Sequence, residues 1–266
     1  MSTATVADRF SIGRTARLTR WNAVLLTRNR LAFVYAVVLP LLPLLLLLTG
    51  ERGAETVGAS SIVTLLLVVG LFPVYYNVLS QFVSRRDELV LKRMRTGEAR
   101  DAELIASIAL PGAIAALAIV AIAVPISQLF EQRLPVNPII YAGGALLVVI
   151  MFSAFAYWTA AWTRSAEAAQ LTSMPIILLA SFGPLGAQLA GDSDTVRQLI
   201  ELTPGAAMSE IVRVGWFGLD GVDAETTTLS FAETWSHAAQ PLLVIVAWTI
   251  VAFVLARRSM RWEPRS

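Results

Sequence analysis

The 266-residue chain has no cysteine, which excludes disulfides, thiolate catalysis and Cys-based metal sites. It has one histidine, His237, and one lysine, Lys92. A loop that cradles ATP phosphates needs Gly-x-x-x-x-Gly-Lys-Ser/Thr, and no glycine precedes Lys92 in that register. The zinc-protease pattern His-Glu-x-x-His needs two histidines and is excluded too. Charge is scarce, 15% Asp, Glu, Lys and Arg against about 25% in soluble domains. The clustered acids that hold Mg²⁺ in membrane-embedded prenyl and phospho transferases are missing. The acid pair Asp192 and Asp194 is too sparse for more than a weak metal candidate and reads as a solvated turn. Basic residues are nearly all arginine. We read this as the codon usage of a GC-rich bacterial genome, not as nucleic-acid binding.

What the chain has in abundance is apolar surface: 56% hydrophobic residues and a mean hydropathy of +0.66. Six stretches carry no Asp, Glu, Lys, Arg or His: 31–50, 57–84, 104–130, 134–163, 168–191 and 238–256. A bilayer core of about 30 Å is crossed by roughly 20 apolar helical residues. Backbone groups in lipid must pair internally, so such spans are helices. The expected fold is therefore an all-α polytopic membrane protein with six transmembrane helices. It divides into a basic interfacial helix within 1–30, a six-span domain over 31–256 and a tail at 257–266. The first apolar run is full length and follows a long polar lead, so it is expected to remain in the mature protein.

Cytoplasmic loops are rich in Lys and Arg. Of the 21 basic residues, 17 fall before span one, between spans two and three, between four and five, and after six. Arg52, Arg133, Arg197 and Arg213 fall on the other side. Both termini are thus expected in the cytoplasm, which an even number of spans also requires. The outer segment 192–237 is acidic and carries helix signals. Thr203-Pro204 reads as an N-cap with Pro at the first helical position, followed by the apolar stripe Ala207, Ile211 and Val214 and the stops Gly215 and Gly218. Ser230 and Glu233 read as a capping box opening the last helix. Short re-entrant or interfacial helices are expected there. The run 181–186, with Pro184, is expected to break span five. In the leading segment, Leu18, Trp21 and Leu25 form an apolar stripe flanked by Arg17 and Arg20. It suits either a helix on the membrane surface or a tail that only sets topology.

Between spans two and three, the segment 84–97 mixes charge with apolar residues. Glu88 and Lys92 form an i,i+4 pair in the favourable order, and Gly97 can end the helix. A solvated, topology-setting loop and a docking helix are both compatible with it. The pattern Arg86-Asp87-Glu88-x-x-x-Lys92-Arg93-Met94-Arg95-Thr96-Gly97 resembles the Glu-x-x-x-Leu-Lys-Arg-Leu-Arg-Thr element of type-2 permeases, the membrane subunits of ATP-binding-cassette exporters. Met94 stands where Leu is commoner, and Gly97 where Pro is commoner. Size, six spans, a basic leading helix and a folded outer segment before the last span also resemble that family.

The resemblance implies a coupling helix that docks on a separate ATPase through Arg85, Arg86, Glu88, Leu89, Lys92, Arg93 and Met94. It further implies no cofactor on this chain, with ATP and Mg²⁺ on the partner, and a pathway formed by two permease copies as homodimer or heterodimer. The location implied is a bacterial cell membrane. Ion-coupled carriers place ionisable residues in the membrane, and the six runs have none, so energy is expected from outside the chain. Polar residues in the runs are few, among them Tyr75, Tyr76, Asn77 and Gln81 in the second and Gln170, Ser173 and Gln188 near the fifth, and of these Tyr75, Asn77, Gln81 and Gln170 stand out. They are candidates for a substrate pathway, with an interhelical hydrogen bond the alternative for Asn77. The apolar interior suits a hydrophobic or amphipathic cargo, such as a drug-like natural product, a lipid or a lipophilic peptide. A membrane-embedded enzyme and a passive channel or scaffold remain as alternatives.

Overall fold

The computed structural model describes residues 10–89, 100–165, 167–190, 193–220, 226 and 228–259, side chains excepted at 184 and 186–190. Among them there is helix and connecting turn but no strand. In chain order the helices are α1 (Ile12–Arg28), α2 (Arg30–Leu48), α3 (Glu55–Asp87), α4 (Asp101–Gln128), α5 (Pro138–Trp162), α6 (Met174–Ala190), α7 (Asp194–Glu201), α8 (Pro204–Val212) and α9 (Glu233–Ser259). Five of these, α2 to α5 and α9, are long and apolar enough to cross a membrane, the architecture that multi-pass insertion requires. α6 has 17 described residues, Met174–Ala190.

Prolines shape the long helices. α2 widens to a π turn over Val34–Val38 and tightens into a 3-10 helix over Leu42–Leu48. Pro40 and Pro43 lie in and between these irregular stretches, where each removes a helical donor. Ser61 of α3 donates to the Pro43 carbonyl at 2.9 Å, as a neighbouring helix must where lipid offers no water. α3 has 33 residues, about 50 Å at 1.5 Å per residue. Its π segment Gly70–Tyr76 surrounds Pro73. α3 is the central helix: Ile62, Leu66, Val69, Tyr75, Leu79 and Phe82 are all buried. α9 packs along α5, and α1 packs along α4.

The stretch 181–186 does not break α6, which is continuous through Pro184. The interruption falls earlier, at Ser173, after the short turn Ala169–Thr172. Pro184 deprives the Ala180 carbonyl of its donor. That carbonyl lies at the crossing with α8, where a Cβ on Gly205 would come within 2.2 Å of it. A Cβ on Gly183 would come within 2.5 Å of the Gly205 carbonyl, so the two helices touch backbone to backbone.

The outer segment is more deeply packed than a surface helix. Thr203 caps α8 by accepting from the Ala206 amide at 3.3 Å. Met208, Ile211, Val212, Val214, Trp216 and Phe217 are fully buried. The helix widens into a π turn at Arg213–Phe217 and stops at Gly218, in the left-handed region with φ 61°. The Leu202 carbonyl accepts from Trp248 Nε1 at 2.9 Å, about 22 Å along α9 from its first turn. Trp216 Nε1 donates to the Arg133 carbonyl at 2.9 Å, beside the start of α5. α7 and α8 form a helical hairpin, the pair expected to be re-entrant or interfacial: α8 is packed within the bundle, whereas α7 has no buried residue. α9 opens with the Ser230–Glu233 capping box: the Ser230 amide donates to Glu233 Oε2 at 2.8 Å.

A matched pair of glycines tests this packing. Gly112 of α4 has no room: a Cβ there would sit 1.9 Å from the Pro73 carbonyl oxygen. Gly143 of α5 has nothing within 4 Å. Gly112→Ala should lower stability by about 1–3 kcal/mol, and Gly143→Ala should raise it by up to about 1 kcal/mol. Thermal unfolding of the two variants in detergent checks both signs.

Candidate functional site

The polar residues of α3 that the sequence singles out are not gathered in one place. Positions 77, 81 and 85 share one stripe of the helix, and Tyr75 lies about 200° around from Asn77. Tyr75 is fully buried and donates to Thr159 Oγ1 of α5 at 3.0 Å. It is a tie between two helices. Gln170 is exposed, on the turn before α6. Only Asn77 and Gln81 meet, Gln81 Nε2 donating to Asn77 Oδ1 at 2.7 Å. The Asn77 Nδ2 is buried without a hydrogen-bond partner, facing Gly112 of α4.

The stripe continues to Arg85, whose Nη2 donates to Gln81 Oε1 at 3.0 Å and to Asn22 Oδ1 of α1 at 2.7 Å. Asn22 in turn donates from Nδ2 to the Ser107 carbonyl of α4 at 2.7 Å. That carbonyl stands four residues before Pro111, which has no amide hydrogen to give it. The row Asn77, Gln81, Arg85, Asn22 and Ser107 is thus one continuous hydrogen-bonded chain linking α3, α1 and α4. Asn22 is buried, whereas Trp21 and Leu25, beside it on α1, are exposed.

Arg86, next in the sequence, turns the other way. It is fully buried and donates to the carbonyls of Ala160, at 2.9 Å, and Thr163, at the end of α5. A guanidinium on the last carbonyls of a helix satisfies acceptors that have no helical donor and complements the negative end of the dipole. Arg86 is therefore spent within the fold, with no exposed surface to give to a docking partner. α3 ends one residue later at Asp87. The chain then turns at Glu88 and Leu89, both exposed, with Leu89 in the left-handed region at φ 59°. A β-carbon makes that conformation costly. Residues 84–87 thus complete α3 instead of opening a separate helix. Lys92, Arg93, Met94 and the stop at Gly97 lie outside the described residues.

Sequence reasoning missed a second tie at the same end. Glu103, in the first turn of α4, is fully buried and pairs with Arg14 of α1 at 2.8 Å. It also accepts from the amides of Ser11, at 2.6 Å, and Arg100, at 3.3 Å. Nothing local in the sequence names Arg14 as its partner.

No family model matches the chain, and no curated protein matches it.

Removing one partner of a desolvated ion pair leaves the other charge uncompensated, whereas removing both is far milder. Arg14→Leu should cost about 2 kcal/mol, below the range for a fully dry pair, because a fifth of the Arg14 side chain is exposed. Arg14→Leu combined with Glu103→Leu should recover much of that loss. Melting temperatures of the two variants and the parent decide this; a double variant no better than the single one would contradict it.

Proposed function

We propose that the chain is the membrane-spanning permease subunit of a bacterial ATP-binding-cassette exporter. In this reading α2 to α5, α6 with its flanking turn, and α9 are six spans, and both termini lie in the cytoplasm. The distribution of basic residues supports that orientation. The subunit moves a hydrophobic or amphipathic molecule out of the cell, as one of a pair of permeases, on energy from ATP hydrolysed by a separate subunit.

The observation that carries the reading is the segment after α3. Its run Leu91 to Thr96 follows the family's Leu-Lys-Arg-Leu-Arg-Thr with Met94 as the one departure, and Asp87 stands at the position of the element's Glu. It leaves the bundle from a helix end held on two sides, by Arg85 to α1 and by Arg86 to α5. A segment that passes force into a membrane domain needs such a rooted base, because a pull on a loosely held loop would dissipate in the loop. Glu88 and Leu89 are exposed at that base. Lys92, Arg93 and Met94 carry the remaining docking contacts by resemblance. Arg85 contributes from within the fold, by fixing the base.

Two experiments test the proposal. The tagged chain should pull down an ATPase subunit from its native host. Glu88→Arg and Arg93→Glu should each abolish export of a lipophilic cargo from cells while leaving the chain inserted and folded. Unchanged export in both variants would refute the docking role. Uphill transport by liposomes holding this chain alone would refute the reading as a whole.

A further inference from the structure

A cavity of about 670 Å³ opens at the end of the bundle that carries α7 and α8, within the size range of small-molecule sites. Its walls come from the first half of α3, from α6, from both helices of the hairpin and from the start of α9. The lining mixes apolar residues, among them Ala59, Val63, Phe182 and Pro241, with the polar Ser60, Thr64 and Gln240 and a set of charged groups.

α7 lends the cavity Arg197, Ile200 and Glu201, while Leu199, 62% exposed, and Val196 do not line it.

The charged groups facing the chamber are Arg197 and Glu201 from α7, Glu210 and Arg213 from α8, Asp220 from the following loop, and His237 from α9. Asp220 and His237 are committed to each other, Oδ1 to Nδ1 at 3.1 Å. With Asp220 given to His237, Glu201 and Glu210 share the lining with Arg197 and Arg213. Among the described residues neither glutamate is held in an ion pair within 4 Å. Ser209, 7% exposed, lines the same cavity, and its hydroxyl is buried without a hydrogen-bond partner. Glu210 is thus an acid in a cavity of mixed lining, suited to an organic cation that carries an apolar body.

We propose that this cavity binds an amphipathic organic amine, with the ammonium group against Glu210 and the apolar body along Ala59, Val63 and Phe182. As a cargo site it rests on the exporter reading; as a binding site it does not. Burial pushes the Glu210 carboxyl up from its usual range, and Arg213 only partly offsets this. An empty cavity thus favours the protonated acid, and an arriving cation favours the carboxylate. Amine affinity should rise with pH as Glu210 loses its proton, over a range in which the ligand stays charged.

The test uses the full chain in lipid nanodiscs without any ATPase, and the fluorescent amine dansylcadaverine as probe, with its N-acetyl derivative as the neutral control. The amine should bind saturably, more tightly than the control and more tightly at pH 7 than at pH 5. Glu210→Gln should weaken amine binding about tenfold or more, since a charge pair in a half-buried site is worth several times its value in water, and should leave the control unchanged. Gln240→Glu, which adds a further carboxylate to the lining, should tighten amine binding. An unchanged melting temperature shows that the variants fold. Equal binding of amine and control, or of parent and Glu210→Gln, would overturn the proposal, as would a signal no larger than in empty nanodiscs. Absence of an ATPase partner would end the exporter reading and leave this site standing. Loss of amine specificity would end this site and leave the exporter reading standing.

Discussion

A polar group inside an apolar bundle must find its partner within the protein, because neither lipid nor the packed interior supplies one. The Ser107 carbonyl shows how much of the structure follows from that constraint. Pro111 strips it of a helical donor. The replacement comes from Asn22, on a different helix 85 residues away in sequence. Asn22 then has an oxygen to satisfy, and Arg85 satisfies it. Arg85 in turn orders Gln81, and Gln81 orders Asn77. One missing amide hydrogen therefore leads to a row of side chains that joins α1, α3 and α4. Truncating any member leaves its neighbour buried and unpaired, which costs more than the bond itself contributes.

Adjacent arginines carry this organisation sideways. Arg85 and Arg86 stand about 100° apart on α3, so they cannot serve the same neighbour. One reaches α1, and the other closes the C-terminal carbonyls of α5. Guanidinium is suited to both tasks, because its donors fan out in a plane and its charge is not lost on burial. The end of α3 is held from two directions just before the chain turns at Leu89. A non-glycine residue in the left-handed region costs about 1–2 kcal/mol, and such a turn persists where the surrounding structure fixes it.

Much of the long-helix architecture was legible in the sequence, and so were the local caps at Thr203 and Ser230. These features depend on residues within four positions of one another. The rotation of each helix was not legible. α3 and α9 have nearly the same mean hydropathy, 2.3 and 2.2, yet 72% of the most apolar window of α3 is buried inside the protein against 28% for α9. Lipid tails are as apolar as leucine, so hydropathy reports insertion and says nothing about which neighbour a face meets. Arg86 was misleading for a related reason. A charge next to Asp87 and Glu88 reads as solvated, and only the position of α5 reveals two carbonyls within its reach. The depth of α8 was hidden because a helix packed within the bundle and a surface helix share the same short apolar pattern. The stripe Ala207, Ile211 and Val214 was visible, whereas burial of Met208 and Val212 on the other faces required the tertiary structure.

The backbone contact between α6 and α8 sets where the outer segment sits. Gly183 and Gly205 let the two helices meet backbone to backbone, an approach that side chains would forbid. α8 is therefore drawn in among α3, α6 and α9, and its apolar residues are buried. Its polar residues have one direction left to face. Glu210 and Arg213 turn to the cavity beside α8, where Glu201 of α7 and Asp220 also lie. A charge shut away from polar surroundings is costly, so a helix that bears charges and packs this closely needs a polar cavity beside it.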